Sequence, residues 1–171
     1  MIVRVARPGE LPEIGDIRVA AYLADGFLSA TSGYAATLRN LGSGGDGLVL
    51  VAVTGGRITG TIMLQYWPQA GQVVRGPDEA EIRALAVAPD GQGRGTGRAL
   101  LRAVIERAAG HGVRHLVLST LPGMRAAHHL YEQAGFSRLP DRDWSPGPGE
   151  NLLAYGLILT GRRPDQPAPS P

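Results

Sequence analysis

The sequence predicts an α/β (α+β) protein built on a mixed sheet of about seven strands with helices on both faces. Three observations carry this. The chain opens with a strand and helices, continues with three strands that begin as a hairpin, and then runs strand, helix, strand, the crossover that parallel pairing requires.

Residues 2–6 read as a short strand ended by Pro8-Gly9, and residues 10–25 carry helical apolar spacing through Leu11, Ile14, Ile17, Ala21 and Tyr22. A second helix is expected over 34–41. After the Gly- and Ser-rich segment 42–47, strands over 48–54 and 57–67 flank Gly55-Gly56, a hairpin signature. A loop over 68–78 leads to a strand at 81–88, stopped by Pro89-Asp90-Gly91. Residues 96–109 form the clearest helix, with Leu100, Leu101, Val104, Ile105 and Ala108 as its apolar stripe and Gly110 at its end. A strand at 113–119, a helix at 123–134, the pair Gly135-Phe136 and a strand at 151–159 complete the order. Residues 1–160 are expected to form one domain. Residues 161–171 hold four prolines and no large apolar side chain, which predicts a disordered tail.

A length of 171 residues suits one hydrophobic core, and 43% hydrophobic with 19% charged residues is a globular composition. All 17 basic residues are Arg, nearly balanced by 15 acids. The net charge of +2 is too small to suggest nucleic acid as a partner, which calls for a clustered basic face. With no Cys, disulfides, thiolate nucleophiles and Cys-ligated metals are excluded. His111 and His115 straddle Gly112, and His128 and His129 are adjacent, so neither pair shares a helical face and no metal site is expected. The longest apolar run, residues 48–53, falls far short of the about 20 residues that span a bilayer, and no secretory stretch opens the chain. A cytoplasmic protein is expected, monomer or homodimer, without a membrane partner.

The most informative segment is the strand that passes through Gly91-Gln92-Gly93-Arg94-Gly95-Thr96-Gly97 into a helix. A helix N-terminus leaves amide N–H groups unpaired and carries partial positive charge, so it attracts phosphate. The glycines clear side chains from that end, and Arg94 and Arg98 add charge. Spacing decides the ligand. A dinucleotide G-x-G-x-x-G fails, because Thr96 and Arg98 stand where its last glycine would be, and a P-loop needs the Lys this chain lacks.

The turn Gln92-Gly93-Arg94-Gly95-Thr96-Gly97, paired with the downstream Leu130-Tyr131-Glu132-Gln133-Ala134-Gly135-Phe136, resembles the GNAT superfamily of acyl-CoA-dependent N-acyltransferases. The resemblance covers roughly residues 48–136 and implies a mostly antiparallel sheet with a splayed strand pair holding the cofactor, acetyl-CoA. Gln92, Gly93, Arg94, Gly95, Thr96, Gly97 and Arg98 would bind its pyrophosphate. Leu85, Ala86 and Val87 would hold the pantetheine arm, with a backbone N–H near Val87 on the thioester carbonyl. Many relatives carry Asn where this chain has Met124, another cofactor position.

The same resemblance makes Tyr131 the general acid and Glu81 the position of a catalytic base. Tyr131 otherwise reads as a packed aromatic with Ala127 and Ala134. A carboxylate entering a buried strand implies function or an ion pair, with Arg83 the candidate partner. Without Cys and without a G-x-S-x-G elbow, direct attack by the acceptor amine in a ternary complex is the simplest course. The acceptor, a small-molecule or peptide amine, would meet Tyr22, Phe27, Tyr34, Tyr66, Trp67, Asp143 and Trp144. Trp144 either walls the acceptor pocket or packs on the sheet, and Asp143 either draws a cationic amine or shapes a turn. Two rival readings are a non-catalytic acyl-CoA-binding module, which the presence of Tyr131 and Glu81 argues against, and a toxin-type enzyme acetylating aminoacyl-tRNA, which the small net charge argues against.

Overall fold

Strand β1 (Ile2–Val5) leads through a 3₁₀ turn at Pro8–Glu10 into α1 (Leu11–Ala24), and α2 (Tyr34–Asn40) follows. Then come β2 (Leu48–Thr54), β3 (Arg57–Tyr66), β4 (Glu79–Val87), α3 (Thr96–Gly110), β5 (His115–Thr120) and α4 (Arg125–Gln133). Three short or late strands finish the fold: β6 (Ser137–Arg138), β7 (Trp144–Gly147) and β8 (Glu150–Ile158). The computed structural model describes residues 1–29, 33–71 and 73–160, so the disordered tail expected at 161–171 lies outside the described residues. The sheet runs β1-β2-β3-β4-β5-β8-β6 with β7 on β8, and β4–β5 is its parallel pair. Among the described residues it has eight strands, in keeping with the about seven expected. The added strand is β7, between the elements expected at 123–134 and 151–159, where Ser145, Pro146 and Gly147 give no alternating signal.

Alternation along β3 divides the molecule into two apolar layers. Ile62 and Leu64 point to one face, where they pack with Ile82 of β4, Leu116 of β5 and the α3 stripe Leu100, Leu101, Val104 and Ala108. Met63 points to the other, beside Val49, Val51 and Ile14 of α1. Val19, Leu28 and Leu38 join α1 to α2. Each buried Leu contributes about 1.5–3 kcal/mol. These layers hold the strands that position the site. Among the described residues no helix is long and apolar enough to cross a membrane.

Two irregularities open the sheet. The β4–β5 ladder ends at Ile82↔Leu118, although β4 continues to Val87, so the strands part over their last residues. Beside that point β4 bulges: Met63 pairs with Arg83 and Thr61 with Ala86, leaving one residue more on β4 than on β3. Ala84 takes φ +50°, a left-handed conformation rare for a residue with a Cβ.

Candidate active site

The glycine turn follows directly from the bulged strand. A 3₁₀ turn at Pro89–Gly91 reverses the chain, and Gly93 and Gly95 then adopt φ of +72° and +78°. A Cβ at either would meet nothing within 4 Å, so it is the backbone conformation, not space, that calls for glycine there. Thr96 begins α3, and its hydroxyl donates back to the Gly91 carbonyl at 3.4 Å, fixing the turn. The first α3 ladder bond runs from Ala99 N–H to Gly95, so the preceding amides are unpaired within the helix and available to an anion.

A cavity of about 770 Å³ joins this turn to the parted strands. Leu85, Ala86 and Val87 form one wall, Gln92, Gly93, Gly95, Thr96, Gly97 and Arg98 another. Met124, Ala127 and Leu130 close it from α4 and the turn before it, and Ala21, Tyr22, Asp25 and Phe27 from α1 and its exit. Of the expected cofactor residues, Arg94 and Tyr131 do not line it. Met124 sits where the resemblance raised doubt, and its sulfur accepts the Thr120 hydroxyl at 3.6 Å.

Tyr131 lies one layer behind, 6% exposed, its ring against Phe136 and Tyr155 at 5.9 and 6.2 Å. Its hydroxyl makes no hydrogen bond to a described residue. Burial raises its pKa well above the usual phenol, and the Tyr22 phenol nearby pushes the same way. Glu81, 5% exposed, accepts the Gly71 N–H at 2.6 Å. Burial raises its pKa too, against the opposing pull of Arg83 and the Gly71 hydrogen bond. The expected Glu81–Arg83 ion pair is not formed. The two side chains leave β4 on one face two residues apart, and Arg83 Nη1 instead donates to Gln65 Oε1 at 3.0 Å, Gln65 being the register partner of Glu81.

The acceptor candidates divide. Tyr22 and Phe27 line the cavity; Tyr34, 47% exposed, opens α2 outside it. Tyr66 and Trp67 stand at the opposite end of β4, where Tyr66 pairs with Ala80 and its ring meets His111 at 5.5 Å. Trp144 packs on the sheet with Val73, Val117 and Ala154 and donates its indole N–H to Ser119 at 3.0 Å. Asp143 is held by Arg138 at 2.7 and 2.8 Å and accepts the Ala154 N–H, which together keep its carboxyl low. Its charge is therefore matched within the chain.

Sequence reasoning missed Ala84, because no glycine marks the bulge, and Arg18, because no local pattern sets it apart from the other arginines. A further cavity wall, α1 with Ala21 and Asp25, was legible only as an amphipathic helix.

A mixed sheet parted beside a glycine-rich helix start is the architecture of an acyltransferase. A family model described as the acetyltransferase (GNAT) family matches residues 15–136, and the chain belongs to that family. It is 29% identical over 123 residues to an L-2,4-diaminobutyric acid acetyltransferase of Nocardia farcinica, covering 72% of this chain and 55% of that relative. A mycothiol acetyltransferase of Cellulomonas flavigena is 33% identical over 122 residues, covering 69% and 35%. The chain thus matches about half or less of these relatives' length. Among solved structures, the ribosomal-protein-S18-alanine N-acetyltransferase from Escherichia coli aligns with a TM-score of 0.71 at 24% identity, covering 98% of this chain and 99% of that one. The yncA protein of Salmonella typhimurium, solved with its cofactor acetyl-CoA, aligns at 0.68 and 24%, covering 99% and 98%.

Proposed function

We propose that this chain is an N-acetyltransferase that moves an acetyl group from acetyl-CoA to a small amine. One observation carries the reading: the free amides at the α3 start and the unpaired edge of β4 line a single cavity of about 770 Å³. A phosphate-bearing end fits the first and an extended arm the second. The names of two relatives, an L-2,4-diaminobutyric acid acetyltransferase and a mycothiol acetyltransferase, support a small acceptor.

When bound, acetyl-CoA supplies the acetyl group as a thioester. Amides of the turn from Gln92 to Gly97 hold its phosphates, with Arg98 adding charge at the same wall. Backbone groups of Leu85 and Val87 would hold the arm, and the N–H near Val87 would polarise the thioester carbonyl. Tyr131, one layer behind that wall, keeps its proton through neutral pH and would supply it from Oη, through water, to the sulfur leaving the thioester. Glu81, its pKa raised by burial, takes the proton lost by the acceptor nitrogen, through water. Acid and base so occupy different elements, α4 and β4.

Thiol release from acetyl-CoA with a panel of amino acids, polyamines, aminoglycosides and peptide N-termini tests the reading. Turnover with at least one amine is expected; acetyl-CoA that neither binds by calorimetry nor raises the melting temperature overturns it.

A further inference from the structure

Glu81 is flanked in the sheet by Gln65 of β3 and Val117 of β5, its register partners. The segment that joins β3 to β4 lies over the same side. Ala70 donates its N–H back to the Tyr66 carbonyl at 2.9 Å, and Val73 and Val74 are buried with Val117 and Ala154. Arg142 Nη1 donates to the Val73 carbonyl at 3.0 Å, while Arg75 donates to Asp141 from its guanidinium and to Glu79 from its N–H. Gly71 therefore sits between two anchored stretches.

The Gly71 N–H meets Glu81 Oε2 at 2.6 Å, short for an amide donor and in keeping with a charged acceptor. Glu81 Oε1 accepts no hydrogen bond from a described residue. A Cβ on Gly71 would stand 2.6 Å from Oε2 and 3.5 Å from Cδ and Oε1. Its φ lies outside the left-handed region, so here space calls for glycine, the reverse of Gly93 and Gly95. What would have to yield to a side chain is the tip of Glu81, not the backbone of another element. A residue larger than glycine thus leaves the fold standing and moves the carboxylate.

From this arrangement we infer that Gly71 is a positioning residue for the proposed base. Its N–H pins Glu81 Oε2 and leaves Oε1 to take the proton of the acceptor nitrogen, and its missing side chain is what lets the carboxylate stand there. The inference rests on the acetyl-transfer reading with Glu81 as base. Burial disfavours the ionised carboxylate, and Arg83 and then the Gly71 N–H oppose it. The other neighbours carry no charge: β3 presents Gln65, β5 Val117, and the covering segment Val73 and Val74. Arg18 of α1, buried on this side of the sheet, donates from Nη1 to the Leu38 and Leu41 carbonyls at the end of α2.

Two measurements test the inference. In the parent, the Gly71 amide proton followed by NMR against pH should titrate with the midpoint of the acidic limb of kcat/KM, because its acceptor is the group that ionises. Glu81→Gln should abolish that titration. With one fixed acceptor, Gly71→Ala should lower kcat at least tenfold and leave KM for acetyl-CoA within twofold. It should also move the acidic limb up by about one pH unit, as expected when a hydrogen bond to a charged group is lost. A glycine needed for packing alone would lower the melting temperature and leave the limb in place. That result in a variant folded by circular dichroism, or a Gly71 amide that does not titrate with the limb, overturns the inference. If Gly71→Ala does not fold, the amide titration of the parent decides. A limb that survives Glu81→Gln instead defeats Glu81 as base, and the positioning role falls with it.

Discussion

Glu79 and Arg142 stand 63 residues apart in sequence and meet through two hydrogen bonds of 2.8 and 2.9 Å. The same carboxylate accepts from the Arg75 N–H at 2.7 Å and lies 2.9 Å from His115 Nδ1. Partial burial would raise its pKa, but the bonds from Arg142, Arg75 and His115 outweigh it and bring it to about 2. Because the folded value lies below the unfolded 4.5, the stabilisation is complete above that pH and is lost as pH falls from about 4.5 to about 2. Urea midpoints measured from pH 6 to pH 2 should fall more steeply for the parent than for Glu79→Gln. Parallel curves would show that Glu79 adds nothing to acid sensitivity.

Ala84 sits at φ +50°, where a β-branched side chain is strongly disfavoured. Ala84→Val should destabilise by about 1–3 kcal/mol, whereas Ala84→Gly should lie within about 1 kcal/mol of the parent. Chemical denaturation separates the two. If Val is tolerated as well as Gly, the bulge is soft.

Gly95→Asp places a carboxylate where the turn would receive phosphate. Two such charges about 4 Å apart repel by about 1 kcal/mol in water and about 4 kcal/mol near a protein surface. Acetyl-CoA affinity should fall at least tenfold. Asp tolerates positive φ better than most residues, and an acid at a helix start gains about 0.3–1 kcal/mol, so the variant should remain folded. Circular dichroism beside calorimetric titration gives the answer, and undiminished binding would place the phosphates elsewhere.

Tyr131→Phe removes one hydroxyl that has no hydrogen-bond partner among the described residues. Cofactor affinity should persist while the rate drops about 10²–10⁴-fold. A rate within twofold of the parent, with chemistry limiting, would return Tyr131 to packing alone.

Glu81→Gln removes the proposed base. Since burial lifts the Glu81 pKa, the acidic limb of kcat/KM should lie above the ordinary carboxylate value, and it should vanish in the variant with a lower plateau. A limb that survives belongs to another group or to the acceptor.

Local signals in the sequence carried most of this fold. Gly55-Gly56 set the β2–β3 hairpin with strand ends within one residue, and Gly93 and Gly95 announced the turn because positive φ leaves a residue-type signature. The bulge at Ala84 left none, since its strain is imposed by pairing with β3 and not by its own side chain. Arg18 was equally silent: a charge on a helix reads as solvated until α2 closes over it. Trp144 and Asp143 looked available because they stood in a polar segment, yet Ser119 and Arg138, distant or local, had already engaged them.

The β4–β5 ladder has its register pairs at one end, Glu79 to Ile82 against His115 to Leu118, and Glu79 ties the same end to Arg142 and His115. The arrangement is that of a clothes peg, with its spring at Glu79 and its jaws at Val87 and Thr120. A molecule gripped between the jaws would load the spring, so amide exchange across residues 79–82 and 115–118 should slow or quicken with occupancy of a cavity those amides never touch. Selection on the spring would then tune how wide the jaws rest without altering a single residue that lines them.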